Sequence, residues 1–243
     1  MIVLRAIVLM AVVALITPPF SLIAIATAPL PRIVRYRVIA RWADIVLWVL
    51  RHVCRLDYRV LGSGNLPQRS AVILAKHQSA WETMAFQQIF PPQAYVLKRE
   101  LLRVPFFGWG LARFPNISID RGAGKDALTQ VLEQGGALLR EGLWVVVFPE
   151  GTRSAPGTTR RYKGGGAALA AASGAPVVPV AHNAGEFWRK GSFRIRPGTV
   201  TVSIGPAIDP SGLTAAEINR RAQDWIEGEM RRLFPHHYAE PAR

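Results

Sequence analysis

Between Arg5 and Arg32 lie 26 residues without a charge. No other feature limits the fold as strongly: a helix needs about 20 apolar residues to cross a hydrocarbon core. The run is interrupted by Thr17-Pro18-Pro19. Two prolines remove two backbone donors and clash with the preceding turn. This predicts two short apolar helices, Ile2–Ile16 and Phe20–Ala28, with a break between them. Three arrangements fit that pattern: a kinked span, a re-entrant hairpin, or a signal peptide cut after the small-x-small triplet Ala26-Thr27-Ala28. Pro29 after the cut, and Arg5 as the sole cation before the run, oppose the last.

The next segment, Ile33–Leu56, combines Arg35, Arg37, Arg41, Arg51 and Arg55 with Trp42, Ile45, Leu47, Trp48 and Val49. Arg with Trp and Leu reads as a helix lying in a membrane interface, where such rings are enriched. The alternative is a surface helix packed on the rest of the chain. Residues 1–60 carry eight Arg and two Asp, a net +6, which suits an anionic leaflet. The whole chain has a formal charge of +14 and favours acidic partners. Cys54 is the only cysteine, so an internal disulfide and a Cys-based zinc cluster are excluded, and Cys54 itself reads as a packed apolar residue.

From residue 57 the pattern changes. Apolar runs of strand length occur at Tyr58–Leu61, Ala71–Ala75, Ala94–Leu97, Asn116–Ile119, Leu143–Phe148, Val177–Val180 and Thr199–Ile204. Helical stretches separate several of them: Trp81–Ile89, Lys125–Arg140 and Gly164–Ser173. A last helix, Thr214–Phe234, opens on a Thr214-x-x-Glu217 capping box. Alternation of this kind predicts an α/β fold with a mixed, largely parallel sheet flanked by helices. The expected organisation is a membrane-anchoring helical segment over 1–56, an α/β domain over 57–235 and a tail over 236–243. In that tail His236-His237 reads as a solvated pair rather than a metal site.

Two segments carry chemistry. Lys76-His77-Gln78-Ser79-Ala80-Trp81-Glu82 follows an apolar strand and opens a helix, a place where α/β proteins set reactive groups. Histidine is the side chain best suited to proton transfer near neutral pH. Five positions along one straight helix turn about 500°, so His77 and Glu82 would face apart by about 140°. They meet only if His77 sits in the turn before the helix and bends back. A carboxylate on Nδ1 would then fix the tautomer and leave Nε2 as a base. Alone, this spacing also suits a structural histidine.

The second segment, Phe148-Pro149-Glu150-Gly151-Thr152-Arg153-Ser154, follows a buried strand. A tight turn, a hydroxyl, backbone donors and a guanidinium within four residues can hold a phosphate by charge-assisted bonds. A turn closed by a Glu–Arg ion pair is the competing reading. Ser79 lacks a Gly-x-Ser-x-Gly elbow, no His-Glu-x-x-His occurs, and Gly164-Gly165-Gly166 lacks the Gly-Lys-Ser/Thr of a phosphate-binding loop, which leaves close helix packing as its use.

Together the segments resemble the glycerolipid acyltransferases, in particular the 1-acyl-sn-glycerol-3-phosphate acyltransferases. That family carries His-x4-Asp on a strand-to-helix turn and Phe-Pro-Glu-Gly-Thr-Arg-Ser about 70 residues on; here His77 and Glu150 are 73 positions apart. Between them Lys98-Arg99-Glu100-Leu101, Pro105-Phe106-Phe107-Gly108 and Ile119-Asp120-Arg121 match further blocks, and Val178-Pro179-Val180 a last one. The likeness covers about residues 57–210. The acid is Glu82 where the family has Asp, one methylene longer.

The resemblance implies direct acyl transfer from acyl-ACP or acyl-CoA to the free hydroxyl of 1-acyl-sn-glycerol-3-phosphate, giving phosphatidic acid at the cytoplasmic face of a membrane. His77 is then the general base and Glu82 its orienting acid. Lys98 or backbone N–H groups stabilise the oxyanion. Arg121 and Arg153 bind the acceptor phosphate, with Glu150, Gly151 and Thr152 shaping the turn. Neither a cofactor nor a metal is implied. The alternatives are acylation of another lyso-lipid, such as a lyso-ornithine lipid or lysophospholipid, and a non-catalytic membrane-surface protein. A nucleic-acid binder is disfavoured, since aromatic-basic recognition motifs are missing and the uncharged N-terminus opposes it.

Overall fold

The structure is a computed structural model, which describes residues 1–119 and 125–238. Among the described residues seven strands form one sheet: β1 (Leu56–Leu61), β2 (Val72–Ala75), β3 (Gln93–Lys98), β4 (Asn116–Ile119), β5 (Trp144–Val147), β6 (Val177–His182) and β7 (Gly198–Ile204). Their order is β1-β7-β6-β2-β5-β3-β4. Every pairing is parallel except β6 with β7. The central strands β2, β5 and β6 are buried along their whole length, as the unbroken apolar runs require of strands covered on both faces.

Among the described residues eight α-helices surround the sheet: α1 (Ile2–Ala26), α2 (Arg32–His52), α3 (Trp81–Ile89), α4 (Phe107–Arg113), α5 (Lys125–Arg140), α6 (Gly165–Ser173), α7 (Ala184–Phe187) and α8 (Ala215–Leu233). One core, built from Leu9, Leu50, Ile73, Trp81, Phe86 and Val180, joins α1, α2 and α3 to one face of the sheet. The other, with Leu74, Val145, Leu169, Ile218 and Ile226, joins α5, α6 and α8 to the opposite face. Thr214 caps α8 by accepting a hydrogen bond from the Glu217 N–H at 3.2 Å. At Gly166 an added Cβ would lie 2.6 Å from Leu74 Cδ2, so α6 can approach β2 this closely only through glycine.

The N-terminal expectation needs correction. Pro18 and Pro19 do not break the chain into two helices: α1 runs unbroken through both. Hydroxyls beside the prolines take up backbone acceptors. Thr17 Oγ1 donates to Val13 O at 2.6 Å, and Ser21 Oγ lies 2.8 Å from Thr17 O and 2.6 Å from Phe106 O. Trp42 Nε1 donates to Thr17 Oγ1 at 3.1 Å and ties α2 to that point. Among the described residues α1 alone is long and apolar enough to cross a membrane. Helix α2 buries Tyr36, Ala43, Val46, Leu47, Val49 and Leu50 against the domain, while Trp48 stays 58% exposed. Cys54 is buried beneath α1, with Sγ 3.7 Å from Arg5 O, and burial raises its thiol above the ordinary value.

Candidate active site

Because β2, β5 and β6 run parallel, their C-terminal ends share one edge of the sheet, where crevices for ligands form in α/β proteins. Each end delivers one part of the site: Lys76–Ser79 after β2, Phe148–Ser154 after β5, and His182 closing β6.

His77 lies four residues before the start of α3 and bends back onto Glu82. Its Nδ1 is 2.9 Å from Glu82 Oε1. The same carboxylate accepts the Gln78 N–H at 2.8 Å and the Ser79 N–H at 2.8 and 3.0 Å. Glu82 sits in the first turn of α3, where the helix dipole favours negative charge, and it is fully buried. Burial by itself would raise its pKa. The hydrogen bond and charge of His77, with the Ser79 N–H bond, outweigh that and hold the carboxyl below its ordinary value. Glu82 is therefore an anion, and His77 meets it with Nδ1–H. Nε2 makes no hydrogen bond among the described residues, and the ring stacks on Phe148 with centroids 4.0 Å apart. The imidazole is held in one tautomer with its basic nitrogen free.

The second loop is sewn to the first. The His77 N–H donates to Glu150 Oε2 at 2.8 Å, and the Ser154 N–H to His77 O at 2.8 Å. Gly151 takes φ +71°, a left-handed turn that costs other residues strain, with Lys163 packed against its Cα side. Thr152 Oγ1 accepts from Lys190 Nζ at 3.1 Å. Arg153, half-buried on the same turn, has no hydrogen-bond or ion-pair partner among the described residues, so its guanidinium is available to a ligand. The Glu–Arg pairing weighed from sequence does not form, since Glu150 turns inward to Lys76.

Other expected site residues fall differently. Lys98 ends β3 at the same edge and is exposed, two strands from β2. The Gln78 and Ser79 N–H groups are taken by Glu82 and cannot serve an oxyanion in this arrangement. Arg121 lies outside the described residues.

Comparison with known proteins settles the family. Residues 57–183 match the family model described as acyltransferase. The 1-acyl-sn-glycerol-3-phosphate acyltransferase of Pseudomonas aeruginosa is 46% identical over 210 residues, covering 85% of this chain and 82% of that protein. The chain belongs to the acyltransferase family. The human 1-acyl-sn-glycerol-3-phosphate acyltransferase beta is 33% identical over 199 residues, covering 79% of this chain and 71% of the relative. The crystal structure of a 1-acyl-sn-glycerophosphate acyltransferase from Thermotoga maritima superposes with a TM-score of 0.79 at 22% identity, over 100% of this chain and 98% of that one, and so shares the fold.

In this acyltransferase two residues support the His77 turn that the motifs did not single out. Lys76 is fully buried, with Nζ 2.9 Å from Glu150 Oε1, 2.7 Å from Glu227 Oε1 and 2.9 Å from Thr158 O. Glu227, on α8, also accepts Tyr162 OH at 3.0 Å and Thr159 Oγ1 at 2.9 Å. His182 is the other. Its Nε2–H donates to Lys76 O at 2.8 Å while Nδ1 accepts the Ala184 N–H at 3.3 Å, and burial lowers its pKa, which keeps it neutral. Lys76 adjoins the motif, so its place just after a buried strand was a usable signal. Glu227 left none, being one more acid on an amphipathic, charge-rich helix.

Proposed function

We propose that this acyltransferase moves an acyl group from a thioester, acyl-ACP or acyl-CoA, to the free hydroxyl of 1-acyl-sn-glycerol-3-phosphate, forming phosphatidic acid. The observation that carries the reading is the anion-oriented His77, with Nε2 free, on a turn bonded to the loop that presents Arg153. The names of the relatives point to the same acceptor.

In the proposed reaction His77 Nε2 takes the hydroxyl proton as the oxygen bonds to the thioester carbonyl carbon. Buried Glu82 balances the imidazolium that forms. The tetrahedral intermediate collapses, the carbon–sulfur bond breaks, and the imidazolium returns its proton to the leaving thiolate. Base catalysis of this kind is worth roughly 10²–10⁴-fold. The acceptor phosphate binds Arg153, with Arg121 as its partner and Lys98 as a candidate oxyanion donor. Residues 1–56 hold the 57–235 domain on an anionic membrane surface, with the site facing the cytosol where both donors occur.

The test is a panel of lyso-acceptors offered with acyl-ACP and acyl-CoA. Lysophosphatidic acid should be preferred, and Arg153→Ala should raise its KM roughly 10–150-fold, the value of one lost charged hydrogen bond, with the donor KM little changed. Arg153→Lys should recover only part, because the planar fork is lost. Preference for a lyso-lipid without a phosphomonoester, or equal KM changes for donor and acceptor, would refute this assignment.

A further inference from the structure

After α8 the chain makes a single 3-10 turn, Pro235–His237. The fold brings a carboxylate from a distant part of the chain to His236 and His237. Glu186 of α7 comes 50 positions before His236 and lies beside both rings. Its Oε2 is 3.3 Å from His237 Nε2 and 3.6 Å from His236 Nε2, and the three ligand atoms all lie within 4.8 Å of one another. Two ligands bound tetrahedrally about 2.1 Å from one ion stand about 3.4 Å apart. The carboxylate-to-imidazole separations therefore already match two edges of a zinc tetrahedron. The rings stand at 90° to each other with centroids 4.1 Å apart, so they neither stack nor block a shared ion.

The surroundings fit a built site. Asn183 Nδ2 donates to Glu186 Oε2 at 2.9 Å and holds the carboxylate in place, the outer-shell support that metal ligands need. The His237 side chain is 8% exposed with Nδ1 unpartnered, whereas His236 is 59% exposed and leaves one side open to solvent. We propose that Glu186, His236 and His237 bind a zinc-type divalent cation, with water as the fourth ligand. Two imidazoles and one carboxylate suit zinc and its first-row neighbours, and do not suit magnesium, which demands oxygen ligands.

The position gives the ion a consequence. Helix α7 also carries Gly185, whose N–H donates to Gln78 Oε1 at 3.1 Å within the His77 turn. An ion here ties the end of α8 to the segment that backs the catalytic turn. This inference does not depend on the acceptor assignment, and its readout is binding.

The experiment uses tag-free, full-length protein in detergent, stripped with chelator and titrated with ZnCl2 and with MgCl2 by calorimetry. One zinc should bind and magnesium should not. Zinc should raise Tm, and Co2+ should give the visible absorption of a tetrahedral site. Glu186→Gln, His236→Ala and His237→Ala should each weaken zinc binding by at least about tenfold, since each removes or blunts one of three protein ligands. His236 is the most exposed of the three, so His236→Ala remains decisive if a more buried change impairs folding. No saturable zinc uptake, or uptake by the His236→Ala/His237→Ala protein equal to that of the wild type, would overturn the site. The second result would send the ion elsewhere, with His77–Glu82 the obvious competitor.

Discussion

At the residue scale the unit is His77 with Glu82. Their 2.9 Å contact and the two backbone bonds to the same carboxylate make orientation and charge inseparable. With His77 as the proposed base, His77→Ala should abolish acyl transfer while leaving folding and vesicle binding intact, because a base acts in the transition state. Glu82→Gln should depress the rate strongly but less, while Glu82→Asp should keep measurable activity. The double change should be little worse than His77→Ala alone, as residues that act as a unit are non-additive. Initial rates with both substrates saturating decide this; multiplicative losses in the double variant would break the coupling. His182 gives a separate residue-scale expectation through pH. Burial depresses its folded-state pKa below the ordinary 6.5, so the unfolded chain binds the extra proton first. Its contribution to stability is complete above about 6.5 and falls away as pH drops toward the lower folded value. Melting curves between pH 7.5 and 5 should show that decline, and His182→Gln should flatten it.

At the scale of elements, α8 and the two motif loops meet at Lys76. One ammonium sits between Glu150 and Glu227 with both side chains at 5% exposure or less. Removing one partner of a buried ion pair costs about 3–5 kcal/mol, because the other charge is left unpaired. Lys76→Met should lose that much by denaturant unfolding, and Lys76→Met/Glu227→Gln should lose less than the two single changes added. Additive losses would mean that the two residues do not share one network. This contact also marks where sequence stops being legible. The strands and α3, α5, α6 and α8 show in the sequence because unbroken apolar runs and helical periodicity are local signals. His77 and Glu82 show because they share one turn. Glu227 is 151 positions from Lys76, and an acid on a helix rich in Arg and Glu looks solvated until α8 is packed. The Pro18-Pro19 pair misleads for a related reason: around it α1 is tied to Phe106 and Trp42 through Ser21 and Thr17, contacts across a fold that sequence does not display. Helix α7 is a single turn, too short for any periodicity.

At the scale of the whole molecule, the question is what covers α1. Leu4, Leu15 and Leu22 are 60%, 76% and 61% exposed, an apolar surface that a water-facing helix rarely keeps. Helix α4 packs beside α1 through Ser21 and adds Phe107 and Trp109, 39% and 45% exposed, while the Arg-rich α2 runs alongside. Apolar side chains flanked by cations form the surface that an anionic leaflet accepts. Burying a Leu side chain is worth about 1.5–3 kcal/mol, so Leu15→Asp/Leu22→Asp should weaken partitioning into vesicles of anionic phospholipid by at least roughly 10²-fold. The same change should leave the melting temperature near that of the wild type, since neither residue is buried in the protein core. High salt should weaken wild-type binding only in part, because screening removes the contribution of the arginines and spares the apolar one. Flotation with vesicles at low and high salt reads both effects. Retention of the double variant at wild-type strength would mean that the exposed face of α1 does not enter the lipid. Complete release of the wild type by salt alone would mean that charge, and not this helix, holds the acyltransferase at the membrane.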